Sequence, residues 1–405
     1  NNARFTVVTN DLSNLPPKDN FFIHTVRNVF TDGGFYSGKQ YYSGSDEFNK
    51  STYEEGEGWA SNWVNNSNSP RFDSLSTTFI YSGIGSPGFA TFKMLTVSRS
   101  STQHKLRVEI GGQTIISEDF SGFRQDKFVR QLQLNQLASG FTKIKSSYID
   151  NSPGSQQNRF QLVEIAYPRS YNFGGAVFFQ WLVPASSGRR YIEIENLNSN
   201  GTPLLFDVTN GLRISATAGS VIPIALPPSS IEREFFIAGE NSISSIPDIT
   251  PVTFINYTQQ NRQGDFVIIS HPSLGIDASG TATGALKAYK DYRDIAQGGK
   301  YRSTVIDVEQ LYDQFAYGIN KHPLAIQGFI QYAVNNWTAQ RKPTHVLLVG
   351  KAREYPEARF SSSTRAQCTV PTFGNPGSDV LMACPIGSNL PSVAIGRIAA
   401  QSVTD

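Results

Sequence analysis

The sequence predicts a multidomain β plus α/β protein, and three observations carry that expectation. Lys105-Leu-Arg-Val-Glu-Ile110 alternates strictly, Gly111-Gly112 follows, and Gln113-Thr-Ile-Ile116 returns, which is a strong β-hairpin signal. Asp265-Phe-Val-Ile-Ile-Ser270 is a short continuous apolar run, the mark of a strand buried on both faces. Beyond it, strand-like and helix-like segments alternate, as in parallel βαβ units with right-handed crossovers.

Taken in order, residues 1–170 read as a jelly-roll-like β-sandwich. The hairpin is joined there by strands at Phe89–Val97 and Phe160–Tyr167, with turn residues between. The stretch from Asp46 to Pro70 reads as loop-rich. Residues 171–245 form a small second β domain, with strands at Ala176–Val183, Tyr191–Glu195, Pro203–Phe206 and Arg233–Ile237 and a turn at Leu226-Pro-Pro-Ser-Ser230. Residues 246–263 read as a linker, and 264–405 as a parallel α/β half-domain. In the latter, Leu286, Tyr289, Tyr292 and Ile295 mark a helix stopped by Gly298-Gly299. Ser303–Asp307 is a strand, Glu309–Tyr317 a short helix, and Pro323 opens a third helix. His345–Gly350 and Val393–Ile398 are the remaining strands.

The composition is 12% aromatic and 17% charged, with abundant Gly and Pro, which suits a β-rich extracytoplasmic protein. A formal net charge of +2 offers no footprint for nucleic acid. No apolar run is long enough for a transmembrane segment. Asn1-Asn-Ala-Arg-Phe5 lacks the apolar core of a secretion signal, so a mature or trimmed start is expected. Cys368 and Cys384 are the two cysteines, too few for a disulfide framework or a zinc site. They flank one loop and form either a single bridge or two free thiols.

The ordered segments of the last part resemble the gingipain-type cysteine peptidase family. Asp265–Pro272 resembles its first strand, and Glu309–Gly318, with Phe315 and Tyr317, its "EFSYG"-like segment. Ala325-Ile326 with Phe329-Ile330 resembles "AIRDF", and Val346-Leu-Leu-Val-Gly350 resembles "VLLVGD". Val370-Pro-Thr372, Ser378-Asp379 and Ala394-Ile-Gly-Arg397 follow as "VPT", "SD" and "IGR" do. Upstream, Glu57-Gly-Trp59, Val163–Arg169 and Phe206-Asp-Val-Thr209 resemble segments of the PorU-like branch of type IX secretion.

The resemblance implies a gingipain- and caspase-like fold, and a parent cysteine endopeptidase that removes a sorting signal from secreted cargo. It implies an extracytoplasmic setting, at the outer membrane or cell surface. Protein or peptide cargo and the C-terminal half of the same chain are the implied partners, and no cofactor is required. In the family, the catalytic histidine and cysteine follow the "IGR" strand. This sequence stops seven residues beyond Ile398, so the dyad is expected beyond residue 405 and no catalytic residue is expected in this chain.

The carboxyl ends of the strands remain the place to look, because open α/β sheets bind ligands there. That rule selects His271, the Lys351–Pro356 stretch with Arg353, and Gln401–Thr404 as a cleft rim; Asp379 joins them through the "SD" loop. For Asp379 the competing readings are a rim or cation contact and a loop-capping Asp bonded to backbone N–H groups. Lys351 stands where the family commonly has an acidic residue, and Val380-Leu-Met382 stands where it has an aromatic. Those departures motivate an alternative, a non-catalytic secretion or adhesion scaffold. The aromatics Phe35, Tyr41, Tyr42, Trp59 and Trp63 motivate a glycan-binding one, although a packed core is the plainer reading. Glu54, Glu55 and Glu57 would suit a structural calcium ion, against the plainer reading of a solvated loop.

Overall fold

The computed structural model describes residues 4–36, 38, 55–65, 68–99, 103–150, 157–244, 252–354, 358, 361–374 and 377–405. Two compact units emerge: a β unit of Asn1–Tyr36 with Glu55–Ile249, and an α/β unit of Thr250–Asp405. No helix among the described residues is long and apolar enough to cross a membrane.

In the β unit, two four-stranded antiparallel sheets enclose one core. One sheet runs Arg71–Thr77, Gly140–Asp150, Gln103–Ile110, Gln113–Ser121; the other runs Phe21–Val29, Gln157–Ser170, Phe89–Arg99, Arg124–Gln133. Period-two alternation sends Phe92, Leu106, Val108, Ile144, Phe160 and Ile165 inward from both sheets. The expected hairpin forms, and Gly111 and Gly112 both take the left-handed backbone (φ 58° and 76°) that a two-residue I′ turn requires. Strands at Arg71–Thr77 and Arg124–Gln133 place charged residues on the same face as their buried ones, Arg71 and Asp73 with Leu75, and Arg124, Asp126 and Arg130 with Phe128 and Leu132, which concealed them in the sequence. Gly58–Trp59 pairs with Phe35–Tyr36, within a stretch expected to be loop; Tyr41, Tyr42 and Glu54 lie outside the described residues.

A second β module follows, with its own core around Trp181, Ile192, Leu205, Ile224 and Phe235. Its start differs from the expected boundary at residue 171. Thr6–Val8 pairs in parallel with Leu212–Ser215, and Asn10 bonds the backbone of Pro223 and Ala225, so the chain's first strand belongs here. The expected strand Ala176–Val183 is two strands in different sheets, Asn172–Ala176 and Phe178–Val183. Arg233 is fully buried beside Asp207, 3.4 Å away, an ion pair inside the sandwich.

The α/β unit is a four-stranded parallel sheet in the order Ser303–Asp307, Phe266–Ser270, His345–Val349, Ala394–Ile398. Every residue of Phe266–Ser270 is buried, as its unbroken apolar run requires of a central strand. We number the helices α1 (Gly284–Asp294), α2 (Val308–Phe315), α3 (Leu324–Asn336) and α4 (Ser362–Gln367). One face of the sheet packs on α2 and α3 through Ile269, Leu311, Ile326, Phe329, Ile330 and Leu348. The other face meets α1 through Ile268, Ile276, Leu286 and Val305. Gln327 and Gln331 on α3 donate to the carbonyls of Leu381, Cys384 and Ala383, fixing the Val380–Ala383 turn against that helix. The segment expected as a linker is partly structural: Tyr257 packs edge-on against Phe329 in the core, 5.1 Å between centroids.

Candidate functional site at the carboxyl ends of the parallel sheet

Two of the strand ends are tied together directly: Ser270 Oγ donates to the Val349 carbonyl (3.0 Å). His271 comes next and begins a 3-10 turn. Its Nδ1 accepts from the Ser273 N–H (3.2 Å), so the proton sits on Nε2, which lies 3.2 Å from Glu309 Oε1. Glu309 is presented by α2, whose N-cap is Asp307 at the end of the neighbouring strand; Asp307 accepts from the Glu309 N–H at 2.9 Å. Burial raises the Asp307 carboxyl above the usual range, and the adjacent Glu309 charge adds to the effect.

Arg397 organises the opposite side. It is the penultimate residue of its strand, beside Leu348, where an apolar residue would otherwise face α2 and α3. All five of its N–H groups are engaged. Nε and Nη2 form a two-pronged pair with Asp379 at 2.7 Å each. Nη1 donates to the carbonyls of Gly350 (2.7 Å) and Val370 (2.8 Å), and Nη2 to that of Pro371 (2.9 Å). Thr372 Oγ1 adds a hydrogen bond to Asp379 at 2.9 Å. Asp379 is therefore neither a backbone cap nor a free rim carboxylate. A guanidinium 89% removed from solvent needs a countercharge, and Asp379 provides it.

Gly350 permits this convergence. Its φ is 154°, and a Cβ there would meet Val370 Cγ2 at 2.6 Å and Thr369 Oγ1 at 2.7 Å. The Lys351 backbone extends the sheet, with its N–H bonded to Ala400 O (2.7 Å) and its carbonyl accepting from Thr369 N (2.9 Å). The Lys351 side chain turns to Gln401 Oε1 (3.1 Å), beside the Asp405 carboxylate. Arg353 turns instead toward Gln367 at the end of α4. The four rim residues thus divide into His271 with Glu309, Lys351 with Gln401, Arg353 with Gln367, and Asp379 with Arg397. Pro356 lies outside the described residues.

Both cysteines are buried free thiols, so the bridge is not formed. Cys384 Sγ donates to Val380 O at 3.4 Å, and burial raises its pKa. Burial also raises the Cys368 thiol, although a backbone bond from Arg353 and the charges of Lys321, Arg397 and Arg353 work the other way. The ionisation of Tyr312, 1% exposed, is likewise pushed well up by burial. Among the described residues, no group of three or more His, Cys, Asp or Glu side chains converges as a metal site.

Residues 259–405 match the model of peptidase family C25. That match covers nearly all of the α/β unit. The chain as a whole is similar in fold to the crystal structure of dimeric latent PorU from Porphyromonas gingivalis, at TM-score 0.59 and 13% identity. That likeness covers 99% of this chain and 38% of that one, so the chain spans well under half of the PorU structure's length. A family 35 carbohydrate-binding module from Clostridium thermocellum is similar over 34% of this chain and 96% of its own, at 11% identity and TM-score 0.19. No curated protein matches. Within the C25 region, the residue that sequence reasoning passed over is Arg397. Its signal was present: an arginine inside an otherwise apolar strand, Ala394-Ile-Gly-Arg-Ile398.

Proposed function

We propose that this chain is the scaffold portion of a C25 cysteine peptidase acting in type IX secretion, where it builds one wall of a cleft that receives the sorting signal of secreted cargo. The observation that carries the reading is the Arg397–Asp379 clamp. It draws the Gly350, Val370–Thr372 and Asp379 segments together at the carboxyl ends of the C25 sheet. A cleft wall needs that rigidity, because a reacting peptide bond must be held to a fraction of an ångström.

The wall supplies neither nucleophile nor base. A cysteine nucleophile requires a depressed thiol pKa and a histidine partner. Both thiols here are raised by burial, and His271 is engaged by Glu309 and Ser273. The thiolate and its histidine come from a part of the parent protein outside this chain, in a caspase-like completion of the sheet. The setting is extracytoplasmic, at the cell surface. The test is cleavage of a cargo's C-terminal signal by a longer protein that contains this segment. Cleavage blocked by iodoacetamide, and lowered at least tenfold in kcat/KM by Asp379→Ala, supports the proposal. Iodoacetamide-insensitive cleavage, or no effect of Asp379→Ala, overturns it.

A further inference from the structure

We propose that Lys321, Arg353 and Arg365 form a recognition site for a carboxylate on a bound peptide, at the rim of the same cleft. The three cations are gathered by one local network. Lys321 Nζ donates to the Arg365 carbonyl at 2.5 Å, and Arg365 Nη2 donates to the Asn320 carbonyl at 3.0 Å. Arg353 Nη2 bonds the Gln367 amide oxygen, two residues beyond Arg365 at the end of α4. The Arg365 carbonyl that takes Lys321 Nζ also accepts from the Cys368 N–H at 3.2 Å, and Gln367, the partner of Arg353, immediately precedes Cys368.

What singles out this group is that, among the described residues, no carboxylate pairs with it. The ion pairs nearby use other cations: Arg397 with Asp379, and His271 with Glu309. Glu309, whose second oxygen accepts from Asn320 Nδ2 at 3.0 Å, has both oxygens engaged. Among the described residues, the side-chain hydrogen bonds of Lys321, Arg353 and Arg365 end on neutral oxygens. The Arg353 Nε–H is buried and bonded to nothing among the described residues. A half-buried guanidinium with an unused donor beside two further cations is an arrangement short of one anion. The planar forks of two arginines suit a carboxylate, with the lysine as a third point charge. On a peptide, that carboxylate is an Asp or Glu side chain or the terminal carboxylate.

This inference rests on the peptidase-cleft reading for the nature of the ligand, but its test does not involve cleavage. Calorimetric titration of the 405-residue chain, at about 50 mM salt, would compare three acetylated hexapeptides: one with an internal aspartate and an amidated end, one neutral with a free terminal carboxylate, and one neutral and amidated. Binding of either acidic peptide at least tenfold tighter than the neutral one is expected, and the tighter of the two identifies the source of the carboxylate. Arg365→Gln and Lys321→Met, both with side chains reachable from solvent, should each weaken it severalfold, and Arg365→Glu should reverse the preference toward a lysine-bearing peptide. Equal affinity for all three peptides, or unchanged preference in Arg365→Glu with an unchanged melting curve, overturns the proposal. If binding persists while the longer protein shows no thiol-dependent cleavage, the peptidase reading fails and the carboxylate site stands.

Discussion

Replacing Asp379 with alanine should destabilise the α/β unit more than any other single polar change in the site. The substitution removes two charge-assisted hydrogen bonds of 2.7 Å and leaves Arg397, 11% exposed, without its countercharge. Breaking a largely buried ion pair from one side costs about 3–5 kcal/mol, and the 23% exposure of Asp379 places this case at about 3 kcal/mol. For a unit of this size that is a fall of about 6–12 °C in Tm. The assay is differential scanning calorimetry, with Phe329→Ala as a marker for the transition of the α/β unit, since that ring is fully buried in its core. A double-mutant cycle separates the pair from its surroundings. Arg397→Met alone strands the carboxylate and three carbonyls, whereas the double variant strands no charge. The cost of the double should fall short of the sum of the singles by about 2 kcal/mol. Additivity within about 0.5 kcal/mol, or a Tm for Asp379→Ala within about 1 °C of the parent, would refute the clamp.

Three further outcomes follow from the same geometry. His24 is held at a pKa of about 4, against 6.5 ordinarily, by burial and by Arg169; the unfolded chain takes up a proton that the folded one refuses. Stability of the β unit should therefore be complete above about pH 6.5 and decline by about 3 kcal/mol as pH falls to about 4, a step absent in His24→Gln and readable by urea melts across that range. Cys368 and Cys384 should react with a thiol reagent at pH 8 at least tenfold more slowly in the native chain than in urea, with both titrating on unfolding without reductant; a missing thiol would indicate a bridge. Gly350→Ala should cost about 1–3 kcal/mol through the contact with Val370, measured by calorimetry, and a neutral result would show that the Val370 segment is free to move.

The parts of the fold legible in the sequence are those where one physical pattern dominates. Phe266–Ser270 is buried on both faces, so its apolar run had one reading. The Gly111-Gly112 hairpin was legible because only a left-handed pair closes that turn. The short strand Thr6–Val8 was not, because its partner, Leu212–Ser215, lies more than two hundred residues away and no local pattern announces so distant a pairing. At the site, the strand-end rule brought His271, Lys351 and Arg353 into view, since it depends on topology alone. The partner of Asp379 was hidden for the opposite reason. A carboxylate in a loop has many backbone donors nearby, and only the tertiary fold delivers a guanidinium from the end of a strand to it.

The central claim is that this chain forms a cleft wall without the catalytic thiolate and histidine. Its most direct test is peptide cleavage by the 405-residue chain alone, with and without iodoacetamide. The account predicts no thiol-dependent cleavage, and no difference between the parent and a Cys368→Ser variant. Iodoacetamide-sensitive cleavage that disappears in Cys368→Ser would contradict it.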